Sequence, residues 1–210
     1  MEMLSLTLGP VSSNCYILTN DFGETLIFDP GDEPERIISL IEDNGLKPIA
    51  VVLTHAHFDH IGALDLIRDH FKIEAWQNPI EKDFITDPVL NRSDNNGLRY
   101  VSRPVEHYFD TEKELTIDHF KMTLATIPGH SPGSTVFFFD DENFAIVGDV
   151  IFKGSVGRSD LPGGSHQTLM AGIREHIMRR PDDYILFPGH GGPTTVGHED
   201  DTNPFLNQGL

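Results

Sequence analysis

The run Thr54-His55-Ala56-His57-Phe58-Asp59-His60 constrains this chain more than any other stretch, because residues 55–60 carry three imidazoles and a carboxylate. An apolar segment, Ile49-Ala50-Val51-Val52-Leu53, leads into it, and Ile61-Gly62-Ala63-Leu64 follows with helical spacing. The pattern predicts a strand, a tight loop and the first turn of a helix. At a strand end, His55 and His57 lie two apart and project to one side. Asp59 and His60 then open the helix, where the positive end of its dipole favours a carboxylate. One short segment thereby offers two pairs of ligands aimed at two neighbouring points. Any one of these residues alone would read more simply as a surface or core side chain, or as an N-cap. All four at this spacing serve no packing purpose and read as metal ligands.

Before this motif the pattern predicts strands at Leu4–Leu8, Cys15–Thr19 and Glu24–Asp29, with Asn20-Asp21-Phe22-Gly23 as a turn. A helix at Glu35–Asp43 stops at Asn44-Gly45. After the motif come a helix over 61–70, a short strand Ile73–Trp76 and a short helix Pro79–Ile85. From Asp87 to Pro104 the periodicity dissolves into a polar loop holding Arg92, Arg99 and Arg103, either a functional loop or a solvated excursion. Strands near 114–117, 120–127, 134–139 and 143–148 follow, then helix 166–179 and a last strand Tyr184–Phe187. Neither a linker nor a second core is evident, so a single domain, 1–210, is expected.

Two segments echo one another. Glu24–Asp29 and Glu142–Asp149 are both strands ending in an acid, each followed by a helix and an apolar strand leading to histidine, His55 and His190. Further candidate ligands stand at predicted strand ends, where sites in α/β sheets usually form. His130 lies in Pro128-Gly129-His130-Ser131, Asp149 closes the 143–148 strand, and His190 lies in Pro188-Gly189-His190-Gly191. Seven ligands exceed what one tetrahedral zinc uses. Divided three and three with one carboxylate shared, they suit two cations ~3.5–4 Å apart that generate a nucleophile from water. Imidazole and carboxylate suit Zn, Fe or Mn without selecting among them. His70, His107, His119, His166, His176 and His198 lack such a context and are assigned to surface, cap or supporting roles.

The set His55, His57, Asp59, His60, His130, Asp149 and His190 resembles the metallo-β-lactamase superfamily. Within it the chain is similar to the glyoxalase II branch, and to its short bacterial members. Supporting motifs are Asn14-Cys15-Tyr16, Asp29-Pro30-Gly31, Gly154-Ser155-Val156-Gly157-Arg158-Ser159-Asp160 and Asn203-Pro204-Phe205-Leu206. The resemblance implies a four-layer αββα sandwich of the α/β class. It implies that His55, His57 and His130 hold one metal and that Asp59, His60 and His190 hold the second. Asp149 would bridge them, Asp59 would be the catalytic residue orienting a metal-bridged hydroxide, and Arg158 would grip a carboxylate of the thiol carrier. The implied reaction is hydrolysis of a thioester such as S-lactoylglutathione, with two divalent metals, most simply zinc. Glyoxalase II proper has additional C-terminal helices completing its glutathione site, which this chain lacks, so the carrier stays open. Zinc β-lactamases place a thiolate where Asp149 stands, which argues against that activity. The rivals are a persulfide dioxygenase, with mononuclear iron on His55, His130 and Asp149, and a lactonase.

Composition narrows the partners. Fifteen basic residues against thirty-three acidic ones give a formal charge of −18, which repels nucleic-acid phosphates. A small-molecule substrate is expected, with neither nucleic acid nor membrane as partner. The start, Met1-Glu2-Met3-Leu4, reads as a strand rather than a signal peptide. Cys15 is the only cysteine, so an internal disulfide and a thiolate cluster are excluded and a cytoplasmic enzyme is the simplest expectation.

Overall fold

The computed structural model describes residues 1–109 and 113–207. They form two compact units, one of residues 1–109 and 116–120, the other of 113–115 and 121–207.

The first unit is built on a six-stranded sheet. Strands β1 (Glu2–Leu8), β2 (Ser13–Thr19) and β3 (Glu24–Phe28) form an antiparallel meander. The β2–β3 turn closes because Asn20 accepts the amides of Phe22 and Glu24 while Gly23 takes a φ of 77°. Helix α1 (Pro34–Asp43) carries the chain to β4 (Lys47–Val52), which pairs parallel to β3. Pro34 sits at its first turn, Ile37 and Ile41 bury its apolar face, and Asn44-Gly45 ends it as the sequence predicts. Parallel strands β5 (Glu74–Gln77) and β6 (His107–Tyr108) complete the sheet.

The predicted helix 61–70 is two helices, α2 (Phe58–Ile61) and α3 (Leu64–Phe71). The break has a physical cause: the Ala63 amide bonds to Pro30 O at 2.9 Å instead of continuing one helix. Gly62 also lies so close to Gly31 that a Cβ would stand 2.1 Å from its carbonyl oxygen. The predicted helix Pro79–Ile85 is a pair of 3₁₀ turns, Pro79–Glu81 and Phe84–Thr86.

The 87–104 segment is an ordered strap. Asn91 Nδ2 and Ser93 Oγ both donate to Tyr100 O. Ser102 Oγ donates to Asp65 at 2.6 Å, and buried Arg68 donates to the carbonyls of Arg103 and Pro104.

The second sheet contains β7 (Glu114–Ile117), β8 (Phe120–Thr126), β9 (Thr135–Phe139), β10 (Phe144–Gly148), β13 (Ile185–Pro188) and β14 (Thr194–Thr195). Its order is β14-β13-β10-β9-β8-β7. A small hairpin, β11 (Ile151–Phe152) with β12 (Ser155–Val156), follows β10. Helix α4 (His166–Gly172) precedes β13 and runs into a π-helical turn, Ile173–Ile177, within the predicted 166–179 span. The change falls at Gly172, where a Cβ would meet Ile127 Cγ2 at 2.6 Å. The internal echo has a structural counterpart, because β3–α1–β4 and β10–α4–β13 are both strand, helix, parallel strand.

Helix α5 (Val196–Thr202) has too few apolar residues to show a period. Thr195 Oγ1 caps it by accepting the His198 amide, and buried Glu199 ties it to Gly154 N and Thr194 Oγ1. Among the described residues no helix is long and apolar enough to cross a membrane.

Candidate metal centre

In the first unit the ligand motif leaves β4 and enters α2, as the sequence predicts. His55, His57 and His60 are buried at 3%, 6% and 0% exposure, and Asp59 stands in the first turn of α2. Ligand atoms of His55 and His57, of His55 and His60, and of Asp59 and His60 lie within 4.8 Å of each other. The His55 ring stands edge-on to His57 at 4.7 Å and tilted to His60 at 4.1 Å.

Asp29, just past β3, orders this cluster. Its backbone takes a φ of 51°, a region that Asp tolerates better than most residues. Its carboxylate accepts the Thr54 amide at 2.8 Å, the Thr54 hydroxyl at 2.6 Å and His60 Nδ1 at 2.9 Å. A carboxylate facing a ring nitrogen accepts, so His60 carries its proton on Nδ1 and presents the Nε2 lone pair. Thr54 gives its proton to Asp29, so at 3.1 Å its oxygen accepts from His55 Nδ1. One carboxylate thus sets the tautomer of two histidines, one directly and one through a hydroxyl. Such partners are the usual support of metal-bound imidazole.

The loop between the histidines is fastened twice. Ala56 N donates to the buried Glu81 carboxylate at 2.7 Å, and Phe58 N donates to Asn91 O at 2.8 Å. Gly31 allows the 29–31 turn to reach α2, since a Cβ there would lie 1.8 Å from Asp59 O.

In the second unit His130, Asp149 and His190 follow β8, β10 and β13, as predicted. The Nε2 atoms of His130 and His190 converge on a single oxygen, Asp149 Oδ2, at 3.4 and 3.5 Å. These separations are longer than good hydrogen bonds. His130 Nδ1 donates to Arg158 O at 2.9 Å, and because a carbonyl only accepts, Nε2 is the nitrogen that faces Asp149 and is placed to ligate. Gly157 permits this approach, for a Cβ there would stand 1.8 Å from Asp149 O. Arg158 therefore has a backbone role beside His130. Its exposed guanidinium forms a two-pronged pair with Asp160 at 2.9 Å on each arm, which raises its pKa.

The donor set fits divalent cations. It consists of imidazoles and carboxylates, and for three of the imidazoles the Nδ1 contact leaves Nε2 as the ligand nitrogen. Burial pushes the Cys15 thiol well above its usual range, with Asp29 adding to the effect, so it is not a poised nucleophile. Sequence reasoning missed Asp29, Thr54 and Glu81 as supports of the ligands. A signal for Asp29 was present, since the Glu24–Asp29 strand ends in an acid just as the 143–148 strand ends in a ligand.

A family model described as the metallo-beta-lactamase superfamily matches residues 8–190. The hydroxyacylglutathione hydrolase GloC of Haemophilus influenzae is 35% identical, with 97% of this chain and 99% of that protein covered. The solved structure of BLEG-1, described as a B3 metallo-beta-lactamase, superposes with a TM-score of 0.95 at 42% identity, covering 98% of this chain and 100% of the other. The structure of TTHA1623 in a di-iron-bound form gives 0.85 at 33% identity, covering 97% and 100%. These likenesses bear out the expected α/β fold of the metallo-β-lactamase type.

Proposed function

The chain belongs to the metallo-beta-lactamase superfamily as a metallo-hydrolase, and we propose that its reaction is the hydrolysis of a thioester on a two-cation centre. The carrying observation is the pair of ligand sets, which between them hold three imidazoles whose Nδ1 contacts leave Nε2 as the ligand nitrogen. In this reading both units act together as one hydrolase domain, residues 1–210. His55, His57 and His130 hold one cation, Asp59, His60 and His190 hold the other, and Asp149 serves both. When bound, two such cations lower the pKa of water and polarise a carbonyl oxygen. Zinc is the simplest occupant; the di-iron form of the TTHA1623 relative keeps iron in play, and manganese takes the same donors.

The chain's own groups supply orientation and proton handling. Asp29 and Thr54 hold the His60 and His55 rings, and Arg158 O holds His130. Asp59 is the catalytic residue, a carboxylate that orients the attacking water and can take its proton. The leaving thiol has a pKa of ~8.5, so it departs as thiolate without a dedicated acid. Arg158 grips an anionic group on the thiol carrier, in exchange for Asp160. The likeness to GloC supports the thioester as substrate class. A small-molecule substrate, with neither nucleic acid nor membrane as partner, suits the charge of −18, and the single buried cysteine suits the cytoplasm.

The test is a substrate screen with protein purified without chelators. S-lactoylglutathione and other thioesters are assayed beside a lactone, a persulfide with oxygen uptake, and a β-lactam, the last because BLEG-1 is described as a lactamase. Thioester turnover at least tenfold above the other classes is the expected result. Oxygen uptake on the persulfide with one iron per chain would replace this reading with the dioxygenase, and a dominant lactone or β-lactam rate would reassign the substrate.

A further inference from the structure

The first unit contains a cavity of about 230 Å³ beside α2, with Asp59 in its wall. Its lining includes Leu8 at the end of β1, Pro10 and Val11 of the β1–β2 connection, Phe58 beside Asp59, and Leu98 and Tyr100 of the 87–104 strap. The strap is fixed there, because Asn91 bonds both the Phe58 amide and the Tyr100 carbonyl. The cavity is smaller than the ~300–1,000 Å³ that holds a complete small molecule, so it suits one limb of a substrate.

The side chains of the lining decide which limb. The ionisable carboxylates in the lining are Asp32 and Asp59, and no Lys or Arg is among the lining residues. Burial pushes the Tyr100 phenol up to about 12, so it stays a neutral hydroxyl. No cationic side chain in the lining would hold a carrier's carboxylates or phosphates, whereas an uncharged hydrocarbon loses water against Leu8, Pro10, Val11, Phe58 and Leu98 at a gain.

We propose that this cavity is the acyl subsite, and that the substrate is a thioester of a short aliphatic or single-ring acid rather than of a small hydroxy acid. The proposal rests on the thioester reading above and assigns the 87–104 strap a role, with Leu98 and Tyr100 setting the length and width of the acyl group. Leu98 and Val11 are 59% and 44% exposed, so both are open to solvent where they line the cavity.

The experiment is a series of thioesters on one thiol carrier, with acetyl, butyryl, hexanoyl, benzoyl and lactoyl groups, assayed with wild type, Leu98→Trp and Val11→Asp. Both substitutions fall on exposed positions, and circular dichroism verifies folding. For wild type, kcat/KM rises about fourfold per added methylene until the cavity is filled, the ratio that ~0.8 kcal/mol per buried CH₂ gives. It exceeds the lactoyl value by at least tenfold for the best acyl group. Leu98→Trp lowers the hexanoyl to acetyl ratio at least tenfold by filling the cavity, and Val11→Asp lowers it by placing a charge there. A flat profile for wild type, or variants that lose all substrates equally, overturns the acyl subsite while thioester turnover itself stands. Absence of turnover on every thioester overturns the thioester reading and the subsite together.

Discussion

The carboxylate of Asp29 accepts the Nδ1 proton of His60 at 2.9 Å, and through the hydroxyl of Thr54 the same carboxylate fixes His55. The geometry of the candidate ligands in the first unit therefore depends on a residue outside the histidine motif, at the end of a different strand. It also depends on protons being placed on Nδ1 so that Nε2 is left for a cation.

Asp29→Asn tests this directly. The amide keeps the size of the carboxylate, but an NH₂ replaces an acceptor that serves both Thr54 and His60. The proton on His60 is then favoured at Nε2, where it blocks ligation. Metal affinity should fall ~10–100-fold, measured by competition with a chelator. Wild-type affinity in the variant would remove Asp29 from this role.

Glu81 should act through the Ala56 amide, which is buried between two of the ligands. Glu81→Ala leaves that N–H without its acceptor and should cost ~1–3 kcal/mol in urea unfolding. Glu81→Gln keeps an oxygen acceptor and should cost clearly less. Equal losses would show that the hydrogen bond is not what Glu81 contributes.

Asp65 anchors the strap and predicts a pH window. Burial pushes its carboxyl up, but hydrogen bonds from Ser102, Arg68 and the Arg103 amide outweigh this and hold it below the usual carboxylate range. A depressed folded pKa adds stability above the unfolded value of ~3.9 and loses it as pH falls through the folded value. The stability gap between wild type and Asp65→Asn should be constant from pH 5 to neutrality, at about those two pH values, and shrink below about 4. A gap that persists undiminished in acid would show that ionised Asp65 does not hold the strap.

Arg158→Ala should raise KM for thioesters of an anionic carrier about tenfold or more and leave kcat less affected, because the backbone bond to His130 remains. Asp160→Asn frees the guanidinium and should lower that KM. Equal effects of Arg158→Ala on a neutral thioester would take Arg158 out of carrier binding.

The candidate ligands were legible because their chemistry is local. Imidazole and carboxylate at spacings of one to three residues, placed after an apolar strand, carry information that packing alone does not require. The strands that position His130, Asp149 and His190 were legible for the same reason, through apolar runs that end at Gly or Pro turns. What escaped was set by distant partners. The break between α2 and α3 depends on Pro30 and Gly31, more than thirty residues upstream. The strap has no periodicity because side-chain bonds to Asp65, Arg68 and Tyr100 hold it instead of a regular ladder. Helix α5 is polar and is held by its cap and by Glu199. Glu81 lies in a three-residue turn whose composition gives no hint that its carboxylate reaches Ala56.

The most direct test of the two-cation centre is metal analysis of the chain purified without chelators, in wild type and Asp149→Asn. The account predicts about two divalent ions per wild-type chain, with metal content and thioester turnover falling together in the variant. A single ion per wild-type chain that Asp149→Asn does not disturb would contradict it.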